Sequence, residues 1–255
     1  MFHKKLSIIT INYNNVDGLK RTVESVFNQT WRDFEYIVID GDSTDGSKEY
    51  IQENAECFDK WVSDSDRGIY HAMNKGIEYS RGDFLFFLNS GDLLIDSLDK
   101  CITHLDYNNS IFCFRYYIEE NRSIYKSETN KKDLISLLDD MINHQSIIYR
   151  KDCFMNHHYD ESYQFCADYK HLLSCLLEGK KIKNIDEFLS VFNLNGISSL
   201  DKNQENIKSE RFVIQKELMN ENLFDLWNEA FFYKQELNQI KKSRIFKFLN
   251  FILFR

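Results

Sequence analysis

From Leu6 to Asp92 the chain alternates short apolar runs with stretches of helical spacing. This alternation constrains the fold more than any other feature. Leu6 to Ile11 reads as a buried strand, and Asn12-Tyr13-Asn14-Asn15 is a turn-forming cluster after it. Leu19, Thr22, Val23, Val26 and Phe27 recur at helical spacing. Tyr36 to Ile39 predicts a second strand, ending at Asp40-Gly41-Asp42. Ser43-Thr44-Asp45-Gly46 opens a helix expected to run through about Phe58. Lys60 to Asp64 predicts a short strand, Ile69 to Tyr79 a helix closed by Arg81-Gly82, and Phe84 to Leu88 another strand. Such alternation implies an α/β fold with a parallel sheet and right-handed crossovers. Acids and glycines fall at the strand ends, where ligands of open α/β sheets sit.

The second half is less regular. Ile111 to Ile118 and Ser146 to Tyr149 read as strands, Asp133 to Ile142 and Tyr169 to Leu177 as helices, and Glu187 to Leu194 as extended. Asp201 to Lys242 is polar and helical in composition. Ser243 to Arg255 is apolar with basic edges, too short to span a bilayer. It suits an anionic membrane surface, or packing on the protein's own core or on a second copy. With no proline in the chain, helix ends fall to Gly, Asn, Asp and Ser. The six cysteines form no C-x-x-C pair and read as reduced thiols of a cytoplasmic protein. A net charge of -8 argues against nucleic acid as a partner, so a polyanionic ligand must be met locally.

Three motifs carry chemistry. Asn89-Ser90-Gly91-Asp92 ends a buried strand with an acid that offers hard oxygen ligands to a divalent cation; its plain alternative is a turn. In Asp40 to Gly46, the strand-end carboxylates can accept from a base edge or ribose hydroxyls, while Ser43 and Asp45 can cap the next helix. In Asp66 to Gly76, Ile69, Ala72, Met73 and Gly76 share a helical face and are expected in the core. Arg67 precedes that helix, where a cation and free amides can meet a diphosphate. Lys75 is equally a solvated lysine.

Together these stretches, with Ser7-Ile8-Ile9-Thr10, Tyr13-Asn14 and Ser25 to Thr30, resemble the family-two glycosyltransferases that build bacterial surface polysaccharides. The resemblance covers roughly residues 5 to 200. It implies a GT-A fold, with a Rossmann-like, mostly parallel central sheet flanked by helices, over 1–200. A helical C-terminal extension with an amphipathic tail would occupy 201–255. It implies transfer of a sugar, with inversion, from a nucleotide-diphosphate sugar, UDP by default. The acceptor would be a hydroxyl of a saccharide or a lipid-linked sugar at the inner face of the membrane.

Carried over by position, the resemblance gives Asp92 to Mn²⁺ or Mg²⁺ and Asp168 to general base catalysis. From the residues alone Asp168 reads as a helix N-cap, because Leu172, Leu173, Leu176 and Leu177 follow at helical spacing. Thr10, Asn12, Asn14, Arg67, Asn74, Lys75, Asn89, Ser90 and Gly91 would line the donor site. The base would meet Asp40 or Asp42, because Gly41 stands where relatives commonly have a second acid. His144 and Gln145 would face the acceptor, and Asn195 to Ser199 matches the family's loop beside it. A sugar nucleotidyltransferase would want a glycine- and lysine-rich first loop, which Thr10 to Asn15 is not. A non-catalytic sugar-nucleotide-binding or scaffold subunit is the remaining alternative, and retention of Asp92 and Asp168 speaks against it.

Overall fold

The computed structural model describes residues 5–96, 98–121, 123–127, 133–139, 141–194 and 203–242. Its strands are β1 (Leu6–Asn12), β2 (Phe34–Asp40), β3 (Lys60–Ser63), β4 (Phe84–Phe87), β5 (Leu93–Leu94), β6 (Ile111–Glu120), β7 (Ser123–Lys126), β8 (Ile147–Arg150) and β9 (Ile182–Asn193). Its helices are α1 (Val16–Phe27), α2 (Ser47–Glu53), α3 (Ile69–Tyr79), α4 (Leu98–Thr103), α5 (Leu134–Asp139), α6 (Ala167–Leu177), α7 (Gln204–Leu218) and α8 (Glu221–Lys242).

One sheet runs in the order β3-β2-β1-β4-β8-β6-β9-β5, with β7 paired to β6. The strands β3, β2, β1 and β4 are parallel, as the alternation requires. Beyond β4 the sheet turns mixed, because β8 runs antiparallel to both β4 and β6 while β9 runs parallel to β6. Every residue of β1, β2 and β4 is buried, as expected of strands covered on both faces. Leu19, Val23 and Val26 of α1 join Ile8, Tyr36, Val38 and Phe86 in one apolar cluster. At Gly76 of α3 a Cβ would collide with Ile9 of β1, so the glycine permits close helix–sheet packing.

Several boundaries differ from the sequence expectation. The second helix stops at Glu53, and a separate turn of 3₁₀ helix spans Ala55–Cys57. The last strand starts at Ile182, five residues earlier than expected, because Ile111–Cys113 of β6 pair with Ile182–Asn184. Ile69, expected in the core, is 39% exposed, while Tyr70 is buried. Helix α3 therefore buries Tyr70, Met73, Asn74 and Ile77 as well as Ala72 and Gly76. The elements β5, β7 and α4 are too short to give a periodic signal.

The chain divides into two compact units, Met1–Arg211 and Phe212–Arg255. In the second, Asn220 caps α8 by accepting from the Leu223 amide, and Trp227 stacks on Phe231. The predicted tail, 243–255, and the loop 195–199 lie outside the described residues. No described helix is long and apolar enough to cross a membrane. All six cysteines are free thiols: Cys57 is half-buried and the other five are buried.

Candidate active site

The chain passes from β1 outward to β2 and β3, then returns to place β4 on the other flank of β1. Strand order thus reverses at β1, and the loops beyond the carboxyl ends of β1, β2 and β4 converge there. Side chains tie these loops together. Asn14 accepts from the Thr44 amide at 2.9 Å, and its own amide donates to Ser43 Oγ at 2.8 Å. Asn15 donates to the Ser90 carbonyl at 3.0 Å. Asp45 accepts from Val16 N and Ser47 N, so one carboxylate serves the first turns of both α1 and α2. Gly91 adopts φ +103, a conformation that suits glycine, and its amide donates to Thr22 Oγ1 at 2.9 Å.

Asp40 is fully buried. Its carboxylate accepts from Asn12 Nδ2 at 2.7 Å, Ser43 Oγ at 2.6 Å, Ser43 N at 3.0 Å and Ser63 Oγ at 2.7 Å. It holds the strand ends in place. Asp42 stands outside at φ +60, exposed and paired with Lys48 at 3.0 Å. Thr10 is buried against Tyr36 Oη at 3.0 Å. Asn12 is 1% exposed, and its Oδ1 has no hydrogen-bond partner.

The Asp66 to Gly76 segment is pinned from outside. Arg67 makes an ion pair with Glu161 at 2.6 Å. Asn74 donates to the Tyr159 carbonyl at 2.9 Å and to Glu161 at 3.1 Å, and accepts from the Tyr159 amide at 2.9 Å. All of its polar atoms are thus engaged within the protein. Lys75 donates to the Ser65 carbonyl at 3.2 Å.

The second half of the sheet delivers the other acids. Asp92 is 4% exposed. Its Oδ2 accepts from Gln145 Nε2 at 2.7 Å and its Oδ1 from the Asn193 amide at 2.9 Å. Burial pushes its carboxyl up to about 7, against the Asn193 amide, the charge of His144 and the Gln145 donor. His144 stands in a short turn before β8, with Nδ1 3.2 Å from Asp168 Oδ2 and Nε2 3.1 Å from Asn89 Nδ2. Asp168, in the first turn of α6, also accepts from Tyr70 Oη and the Tyr169 amide, each at 2.9 Å. Burial works to raise its pKa, but His144, Tyr70 and the Tyr169 amide outweigh it and leave the carboxyl lowered. Asp168 does not cap α6: Cys166 is the N-cap residue, and Glu210 accepts from the amides of Gln164, Phe165 and Cys166.

Hydrogen bonds therefore join Asp168, His144 and Asn89, while Gln145, next to His144 in the chain, reaches Asp92. Thr10, Asp40 and Asn74 hydrogen-bond to neighbouring groups of the protein. Tyr70, Glu161 and Asn193 were not marked by the sequence. Tyr70 adjoins the apolar face assigned to its helix, whereas Glu161 lies in an irregular segment that carries no period.

A hard divalent cation fits this donor set. Each oxygen of the Asp92 carboxylate accepts one hydrogen bond and keeps a lone pair, and the buried Asn89 Oδ1 lacks a partner. Mg²⁺ is commonly held by one or two carboxylates together with substrate phosphates. Among the described residues no three His, Cys, Asp or Glu side chains form a metal-holding cluster, so most ligands of such an ion would come from substrate and water.

Comparison with known proteins bears on this arrangement. Residues 7–163 match the description "Glycosyl transferase family 2". An uncharacterized glycosyltransferase of Mycobacterium tuberculosis is 48% identical over 88 residues, 34% of this chain and 34% of that protein. The chain thus aligns with only about a third of that relative's length. The UDP-Glc:alpha-D-GlcNAc-diphosphoundecaprenol beta-1,3-glucosyltransferase WfgD of Escherichia coli is 31% identical over 122 residues, 47% of this chain and 48% of that protein. The structure of S. aureus TarS in complex with UDP superposes with a TM-score of 0.69 at 16% identity, covering 94% of this chain and 72% of that one. At that identity the likeness speaks for the fold, which is GT-A.

Proposed function

The chain belongs to glycosyl transferase family 2, and from that premise we propose that it moves a sugar from a UDP-sugar to a hydroxyl of a saccharide or lipid-linked acceptor, with inversion. The observation that carries this reading is the hydrogen-bonded group of Asp168, His144 and Asn89 beside the Gln145–Asp92 pair. It brings a buried, ionised carboxylate close to an acid suited to a cation. UDP as the nucleotude class is supported by the UDP-bound fold relative and by the UDP-glucose named for WfgD. The acceptor class is supported by the lipid diphosphate in the name of WfgD.

In this reading the acceptor oxygen attacks the anomeric carbon from the face opposite the diphosphate. A carbon–oxygen bond forms as the bond to the phosphate oxygen breaks, and the electron pair leaves with the diphosphate. Asp168 takes the acceptor's proton. Its low pKa keeps it ionised, and its contacts with His144, Tyr70 and the Tyr169 amide fix its orientation. General-base help of this kind contributes ~10²–10⁴-fold. One displacement inverts the centre, so no protein nucleophile is required. Asp92, with Asn89 beside it, would hold Mn²⁺ or Mg²⁺, which when bound neutralises charge on the departing diphosphate. Asn12, Asn14, Ser90 and Gly91 line the donor side. Arg67, held by Glu161, and Lys75 stand at the helix that would face the phosphates.

The setting proposed is the cytoplasm at the inner face of the membrane, with residues 201–255 as a helical extension whose tail touches the membrane or a second copy. The test is incubation with UDP-, GDP- and dTDP-sugars, Mn²⁺ and lipid-linked acceptors, with products read by mass spectrometry and anomeric configuration by NMR. A new glycoside of inverted configuration from a UDP-sugar is expected. Nucleotide binding without any transfer would favour a non-catalytic subunit.

A further inference from the structure

Gly41 follows β2 directly and is buried, and its backbone is not in the left-handed region that favours glycine. Conformation therefore does not demand a glycine there; space does. A Cβ at Gly41 would stand 2.6 Å from Asp66 Oδ2 and 3.1 Å from Tyr13 Cδ2. The place where residue 41 would put a side chain is filled by the carboxylate of Asp66, delivered by the loop before α3. The ring of Tyr13, 67% exposed, borders the same spot.

We infer that Asp66 is the carboxylate that reads the donor's base, standing in for an acid at position 41, and that it selects a uracil-type imide N–H. This rests on the donor-site reading given above. Three observations support it. Asp66 Oδ1 is committed to the Gly68 amide at 2.9 Å, and among the described residues Oδ2 receives no hydrogen bond. The competing acids are otherwise engaged, Asp40 buried under four donors and Asp42 paired with Lys48. Finally, Asp40, Asp42, Asp64 and Asp66 all lie at this end of β2 and β3, so the locality suits a neutral base that presents a donor rather than a phosphate.

The number of free oxygens narrows the base. A carboxylate only accepts. Oδ1 keeps a second lone pair beside the Gly68 amide, while Oδ2 is wholly unpaired among the described residues. Asp66 therefore matches a single ring N–H, as in uracil, better than the paired N–H donors of guanine, which draw on both oxygens equally. Cytosine presents an unprotonated ring nitrogen at the equivalent edge and would be repelled.

Calorimetric titration of the full chain with UDP, CDP and GDP tests this. UDP should bind most tightly. Asp66→Ala should weaken UDP about 10- to 100-fold, the range for a hydrogen bond to a charged group, and should erase the preference over CDP. Gly41→Ala should do the same by displacing the Asp66 carboxylate. Glu49→Gln, which removes an exposed charge on α2, should change nothing. Asp66→Ala with Gly41→Asp should recover part of the preference. Circular dichroism melts establish that each variant is folded. If UDP binds and both Asp66→Ala and Gly41→Ala leave its affinity and selectivity intact, the role of Asp66 is overturned while the donor-site reading stands. If no nucleotide binds the unaltered chain, both fall together.

Discussion

His144 Nδ1 lies 3.2 Å from Asp168 Oδ2, so the imidazole and the carboxylate form one hydrogen-bonded pair. The other ring nitrogen, Nε2, faces Asn89 Nδ2 at 3.1 Å. The contact with Asp168 holds the ring in place and is the largest of the interactions that lower the Asp168 pKa.

Asp168→Asn is expected to keep donor binding and lower kcat ~10²–10⁴-fold. An amide oxygen still accepts from the Tyr169 amide, so α6 stays intact. His144→Ala should act differently. It removes the leading interaction that lowers the Asp168 pKa, so burial dominates and the acid limb of kcat/KM moves to higher pH. A pH–rate profile on both proteins checks this; an unmoved limb would detach His144 from the base.

Asp92→Ala should abolish any enhancement of UDP binding by Mn²⁺ while leaving the sheet folded. Calorimetry of UDP with and without Mn²⁺ measures it. Equal enhancement in the variant would show that the cation is held elsewhere.

Glu35 supplies a stability test far from the chemistry. It is 1% exposed, and burial alone would raise its pKa. Ser7 Oγ, the amides of Arg81 and Gly82, and the Arg81 side chain overturn that and lower it. A lowered folded-state pKa gives stability that is present above the ordinary glutamate range and lost as pH falls through the folded value. Glu35→Gln should therefore cost about 1–3 kcal/mol at pH 7, and the deficit should shrink below about pH 4. Thermal melts of both proteins across pH 3–8 would show a gap that narrows on acidification.

Gly82→Ala should destabilise the first unit by about 1–3 kcal/mol through overpacking. A Cβ there would stand 2.7 Å from Leu6 C and from Ser7 N, and backbone cannot step aside as a side-chain end can. Denaturant melts give the comparison.

The tail predicts a membrane readout. Vesicles with anionic lipid should float with the full chain and leave behind one ending at Lys242. Equal behaviour of the two would make 243–255 a packing element.

The parallel half of the sheet was legible because β1, β2 and β4 are buried on both faces and read as unbroken apolar runs. The loops between them contain the turn-forming residues that such crossovers use. The second half was harder to read. Strand β9 owes its early start to pairing with β6, a long-range contact that leaves no local period in Ile182 to Asp186. Asp92 and Asp168 could be picked out by their place at element ends. Which acids the fold surrounds with donors could not. Asp40 and Asp42 differ only in which groups surround them, and those come from Asn12, Ser63 and Lys48. Asp66 opened a motif but drew no role of its own for the same reason, since its relation to Gly41 exists only across the strand ends.

The thiols give this chain a built-in clock for its own opening. Five of the six cysteines are buried, from Cys101 in α4 to Cys175 in α6, with Cys175 against Cys153. A thiol-reactive reagent meets Cys57 first and the others only when the surrounding structure parts. Peptide mapping of the modified thiols over time would rank α4, β6 and α6 by how often each breathes.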